Sequence, residues 1–131
     1  MAIEVTSGVM ATLLSEAAKA APRECCGVLL GEGDAVREAR PAANLSTEPE
    51  VRFEIDPAAL FAAHKAARAG GPQVIGYYHS HPAGQPVPSA TDCEHSTGDL
   101  RIWAIVAGGE VAFWRDTGEG FAALSCRIVD R

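Results

Sequence analysis

The amino-acid sequence predicts an α/β sandwich in which helices interleave with a mixed sheet. Three observations lead there. Residues 25–31 and 74–79 are short, continuously apolar runs of the kind that form strands buried on both faces. Residues 7–21 and 56–69 instead carry helical spacing and helix-boundary signals. Beyond residue 101, short apolar runs separated by glycine turns read as further strands.

Taken in order, the first helix sets Val9, Leu13, Ala17 and Ala20 at helical spacing, and Pro22 stops it. The strand over 25–31 follows. Gly31-Glu32-Gly33-Asp34 is a turn, and residues 35–39 are its hairpin return. A loop containing Asn44 and Pro49 leads into a strand over 51–55. Asp56 then supplies a helix N-cap, with Pro57 at the first helical position. That helix runs to about Ala69 and ends at Gly70-Gly71-Pro72. Within the strand over 74–79, Gly76 marks either a packing site or a place where a substrate backbone approaches. Ser89 opens a short helix that ends near Gly98. Strands follow over 102–106, over 111–114 after the Gly108-Gly109 turn, and over 121–129. With no repeat, low-complexity tract or linker, residues 1–131 are expected to form one domain.

Composition narrows the function classes. The chain is 47% hydrophobic and 21% charged, an ordinary balance for a soluble globular protein. No apolar run approaches the ~20 residues that span a bilayer. Met1 to Val5 lack the basic patch and apolar stretch of a signal peptide, so a cytoplasmic location is expected. A net charge of −6 disfavours non-specific nucleic-acid binding. Cys25, Cys26, Cys93 and Cys126 are two adjacent and two distant cysteines, which make neither a disulfide framework nor a C-x-x-C zinc site. Reduced and mostly buried thiols are the expectation for them.

The segment that carries chemistry is His79-Ser80-His81-Pro82, followed through Pro88-Ser89-Ala90-Thr91-Asp92. His79 and His81 stand two apart at a strand end, so both imidazoles project from one face. Asp92 lies one turn into the helix that Ser89 begins, after a loop long enough to fold back over the strand end. Two imidazoles and a carboxylate make a three-ligand site with one position left for water, the arrangement of catalytic zinc. Nickel, cobalt or iron would also suit that donor set. Bland readings stand beside this one. An H-x-H is common without a metal, and Ser89 to Asp92 also matches a helix capping box. His95 is a further ligand or a solvated neighbour of the site, the latter being expected, and His64 is expected on a helix surface.

The run His79-Ser80-His81-Pro82 with Pro88, Ser89 and Asp92, together with the upstream 22–31 segment Pro-Arg-Glu-Cys-Cys-Gly-Val-Leu-Leu-Gly, resembles the JAMM (MPN-plus) metalloproteases in their small prokaryotic-type form. The likeness takes in the E…H-x-H-P-x6-S-x2-D signature and extends to the Asn44 loop and Phe53-Glu54-Ile55-Asp56. It implies a three-layer α/β/α sandwich with a mixed sheet, the cytidine-deaminase-like MPN fold. It also implies that His79, His81 and Asp92 hold one zinc ion per chain, that Glu24 is the general base, and that Ser89 stabilises the oxyanion. Without the resemblance, Glu24 reads as a charged residue ending a helix.

The resemblance further implies hydrolysis of an amide or isopeptide bond at the C-terminus of a ubiquitin-like or sulfur-carrier β-grasp protein. Release of cysteine from a carrier–cysteine adduct is an alternative, as is a catalytically silent MPN-type scaffold that only binds partners. A zinc deaminase is excluded because H-x-E with P-C-x-x-C is absent. The acidic balance and the intact Glu24 segment argue against a DNA-repair role. A nucleophile at Cys25 or Cys26 is a weak rival, because their strand reads as buried. Neither a nucleic-acid nor a membrane partner is expected, and the sequence does not set the oligomeric state.

Overall fold

The computed structural model describes residues 2–130; Met1 and Arg131, the ends of the expected domain, lie outside the described residues. Its first element was not expected. Residues Ala2–Thr6 form a strand, β1, because Ile3 and Val5 alternate inward and both are fully buried. Helix α1, Ser7–Ala20, starts where the Thr6 hydroxyl accepts the Val9 N–H at 3.1 Å. It buries Val9 and Leu13 against the sheet.

Strands β2 (Cys26–Glu32) and β3 (Ala35–Ala42) form the expected hairpin, with Gly33 at φ +59° in its turn. Strand β4, Gln73–Ser80, pairs antiparallel with the other edge of β2. Residues along β2 alternate between two clusters. Leu29 joins Val9 and Leu13 of α1, whereas Val28 and Leu30 meet Ala63 of α2, Pro57–Arg68. The two long helices therefore take opposite faces of β2. Helix α2 begins as expected, with the Asp56 carboxylate accepting the Ala58 N–H at 2.9 Å.

The strand expected over 51–55 does not form. Val51 is 62% exposed, and among the described residues the only ladder contact there is an isolated bridge between Asn44 and Ile55. The Glu54 N–H goes to the Asn44 side chain instead of to a neighbouring strand. Alternating apolar residues are a strand signal only where a partner backbone is available.

The connection from β4 to β5, Ile102–Ala107, decides where the site lies. These strands are parallel, so the chain must cross over rather than turn back. The crossover carries α3, Ala90–His95, over the C-terminal end of β4. This helix stops short of Gly98 because the N–H groups of Thr97 and Gly98 bond to the buried Asp116 carboxylate at 3.1 and 3.2 Å. Strands β6 (Glu110–Thr117) and β7 (Gly120–Val129) complete the sheet as antiparallel neighbours.

The α/β class and the mixed sheet are as the sequence indicates. The strand order β1-β3-β2-β4-β5-β6-β7 closes on itself as a barrel, because β1 pairs parallel with both β3 and β7. Gly76 is a packing site: a Cβ there would collide with the backbone carbonyl of Ile102 on β5. Cys25 and Cys26 are buried, but Cys93 and Cys126 are exposed, against the expectation of mostly buried thiols; all four are unpaired. The two exposed thiols are Cys93 on α3 and Cys126 on β7. No helix among the described residues is long and apolar enough to cross a membrane.

Candidate active site

His79 is the penultimate residue of β4 and His81 follows the strand end, so both rings point into the space under α3. His79 is wholly buried, stacked on Phe53 with ring centroids 4.3 Å apart and edge-on to Trp103 at 5.7 Å. His81 donates from Nδ1 to the Gln85 carbonyl at 2.8 Å. That bond leaves the lone pair of a neutral ring on Nε2. The loop supplying Gln85 is fixed in turn, since the Trp114 indole N–H donates to the Pro86 carbonyl at 3.1 Å.

Asp92 comes down onto the two imidazoles from the first turn of α3. Its Oδ2 lies 3.1 Å from His79 Nε2 and 3.2 Å from His81 Nε2, and the two Nε2 atoms are 3.1 Å apart. The capping box is real as well. Ser89 Oγ accepts the Asp92 N–H at 3.0 Å, and the Ser89 N–H donates to Asp92 Oδ2 at 2.9 Å. The metal and capping readings therefore coexist, because the cap aims the carboxylate at the histidines. Burial pushes Asp92 up, but the hydrogen bonds from His79 and His81 outweigh it and hold the carboxyl well below its usual range. Burial, helped by the neighbouring His81 and opposed by Asp92, disfavours charge on His79 and moves it down.

Three donor atoms thus converge as a triangle with edges of 3.1–3.2 Å. Tetrahedral ligands at ~2.0–2.1 Å from zinc stand about 3.3–3.4 Å apart, so the triangle has the right size for a metal. The electrostatics agree. Without a metal, His81 donates from both ring nitrogens, Nδ1 to Gln85 and Nε2 to the ionised Asp92, and a metal ion would take the place of that Nε2 proton between the same atoms. The donor set fits a metal ion. His79 differs from His81 in one respect: its Nδ1 is buried without a hydrogen-bond partner among the described residues, and the Phe53 stack orients the ring instead.

Glu24 arrives from the other side of β4. The β2–β4 register pairs Cys26 with His79, which places Glu24 across from His81. Two bonds lock the crossing: Cys25 N–H to Ser80 Oγ at 2.9 Å, and Ser80 N–H to the Cys25 carbonyl at 3.2 Å. Glu24, His81 and Ser89 line one cleft of ≈ 330 Å³ with Glu50, Val51 and Pro88. Burial raises the Glu24 carboxyl to about 7, partly offset by His81. A carboxyl poised there can exchange a proton near neutrality.

Family comparison follows the same outline. The model for prokaryotic homologues of the JAB domain matches residues 6–117, a stretch containing all five of these residues. The chain belongs to this JAB-domain family. It is 34% identical to the desampylase of Haloferax volcanii over 131 aligned residues, covering 98% of this chain and 94% of that one. It is 28% identical over 122 residues to a probable TtuB-protein conjugate cleaving protease of Thermus thermophilus, covering 86% and 82%. Among solved structures, protein DSY2949 of Desulfitobacterium hafniense superposes with a TM-score of 0.85 at 28% identity, over 98% of this chain and 94% of that chain. The resemblance to JAMM metalloproteases read from the sequence is borne out by these relatives.

Within the JAB-domain frame, the structure brings Glu24, His79, His81, Ser89 and Asp92 together and leaves two histidines outside. His95 is exposed and lines a separate apolar cavity of ≈ 550 Å³ with Phe53, Leu60, Tyr77 and Trp103. His64 is half-buried on α2. Burial pushes the Cys25 thiol up and the Cys26 thiol to about 12, which keeps both protonated and argues against a cysteine nucleophile. Sequence reading missed the supports: the Phe53 stack, the Gln85 carbonyl and the Asn44 amide. Only Asn44 carried a local signal, as a loop asparagine.

Proposed function

We propose that this JAB-domain protein is a zinc-dependent peptidase that hydrolyses an amide or isopeptide bond at the C-terminus of a ubiquitin-like or sulfur-carrier β-grasp protein. The observation that carries the reading is the convergence of the His79, His81 and Asp92 donor atoms beside Glu24 and Ser89 in one cleft. The desampylase and conjugate-cleaving names of the two relatives point to the same class of bond.

Zinc bound by His79, His81 and Asp92 would polarise the scissile carbonyl and lower the pKa of water. The chain's own residues do the rest. Glu24 takes the proton of the attacking water as its oxygen bonds to the carbonyl carbon. It then passes that proton to the departing amine as the C–N bond breaks. Ser89 accepts from the Asp92 N–H through a lone pair, which leaves its own O–H to donate to the oxyanion. Capping and catalysis use different parts of one hydroxyl.

Three coarser expectations join this reading. Opposite placement of α1 and α2 on β2 supports a three-layer α/β/α arrangement. One continuous sheet supports a single domain. The exposed, unpaired Cys93 and Cys126 suit the reducing cytoplasm.

The test uses a β-grasp protein ending in Gly-Gly, joined by an isopeptide bond to a fluorescein-labelled lysine peptide. Wild-type protein should release the peptide, chelator should stop it, and added zinc should restore it. Release that survives complete metal removal would overturn the proposal.

A further inference from the structure

No hydrogen bond among the described residues reaches the Glu24 carboxylate, so the position of that group is set through its backbone. Each peptide group around it is tied down. Glu24 N–H donates to the Pro49 carbonyl at 2.7 Å, and Cys25 N–H donates to Ser80 Oγ at 2.9 Å. The Glu24 carbonyl accepts from Asn44 Nδ2 at 3.0 Å.

Asn44 does more than this one contact. Its Nδ2 also donates to the Arg52 carbonyl, and its Oδ1 accepts from the N–H groups of Ser46 and Glu54, all at 3.0 Å. Both donors and both acceptor lone pairs of the amide are used. The opposite orientation would set oxygen against two carbonyls and nitrogen against two N–H groups, so the network fixes which way the amide points. Through these bonds one side chain joins Glu24 to the 46–54 loop. That loop carries Phe53, which stacks on His79, and Val51, which lines the cleft. Beside the direct Cys25–Ser80 bonds of the β2–β4 crossing, Asn44 thus gives the base a second tie to the metal-ligand wall, through the loop whose Phe53 stacks on His79.

We propose that Asn44 is a positioning residue that holds Glu24 for catalysis and acts on the reaction only through Glu24. This rests on the function proposed above. Moving a reacting group by about 1 Å can cost ~10²-fold in rate. Asn44→Ala should therefore lower kcat on the fluorescein isopeptide probe by roughly 10–100-fold, with KM little changed and metal content kept.

The deciding experiment is a double-mutant cycle with Glu24→Gln, each protein loaded with zinc and checked for folding. In the Glu24→Gln background, Asn44→Ala should cause no further loss, because the group it positions is already gone. Independently of activity, amide hydrogen exchange in Asn44→Ala should quicken at Glu24 and across residues 46–54 but not in β5. Should the alanine variant fail to fold, Asn44→Asp serves on the same criteria, since it keeps both acceptor contacts and loses only the donors. Wild-type kcat in a folded, zinc-loaded Asn44 variant would overturn the proposal, as would losses that multiply in the double variant. If Glu24→Gln alone is fully active, the base assignment falls and this inference with it. If Glu24→Gln is inactive and Asn44→Ala is not, only the positioning role falls.

Discussion

At the scale of single residues, Glu24 and Ser89 carry the sharpest expectations. Glu24→Gln should keep the metal and lose turnover by several orders of magnitude, because the donor triangle does not include it. Near-wild-type turnover would make Glu24 structural. The same carboxyl gives a stability prediction. Its folded value of about 7 lies above the ordinary 4.5, so its contribution is fully present below 4.5 and is lost as the pH rises through 7. Glutamine has no such loss. Urea unfolding of metal-free protein should thus show Glu24→Gln gaining on the wild type between pH 5 and pH 8, by up to roughly 3 kcal/mol. A difference that does not change with pH would show that Glu24 is well solvated. Ser89→Ala removes the hydroxyl but leaves the backbone N–H that aims Asp92. It should cost about 1 kcal/mol of stability. As an oxyanion donor it should also cost roughly 10²–10³-fold in kcat, measured on the same preparation. Lowered stability with unchanged kcat would leave Ser89 as a cap alone.

Among the elements, α3 depends most on a residue outside itself. Asp116 on β6 is buried, and its carboxylate accepts from the Ser96 hydroxyl and from the Thr97 and Gly98 N–H groups. Asp116→Ala would leave these donors unpaired, at about 2–3 kcal/mol by denaturant titration. It should also speed hydrogen exchange at residues 96–98. Unchanged exchange there would mean that the segment is held by other contacts. The histidines and Asp92 were candidates in the sequence because they lie within one short stretch, but their spacing left a chance H-x-H and a plain capping box open until the family resemblance was added. Glu24 was legible only through family resemblance, since its nearness to His81 depends on the β2–β4 register. The Asn44 and Asp116 networks were not legible, because bonds to distant backbone leave no periodic trace. The same physics explains the misread 51–55 segment. Val51, Phe53 and Ile55 alternate like a strand, but Phe53 is used against His79 and the backbone against Asn44.

At the scale of the whole molecule, the sheet closes through β1, a strand too short to announce itself. Its Ile3 and Val5 enter the same core as Leu13, Tyr78 and Phe113. Ile3→Ala should cost about 2–4 kcal/mol through the cavity it leaves, measured by denaturant unfolding, whereas a peripheral strand would tolerate it. The closed sheet also sets the geometry of the site. His79, His81 and Glu24 come from neighbouring strands of one ladder, and the β4-to-β5 crossover returns Asp92 to them. The central claim is that these residues form a metal centre. It is tested most directly by elemental analysis of purified wild type beside His81→Ala, each dialysed against the same zinc buffer. The account predicts one zinc per wild-type chain and little in the variant. Full occupancy in folded His81→Ala, or none in the wild type, would contradict it.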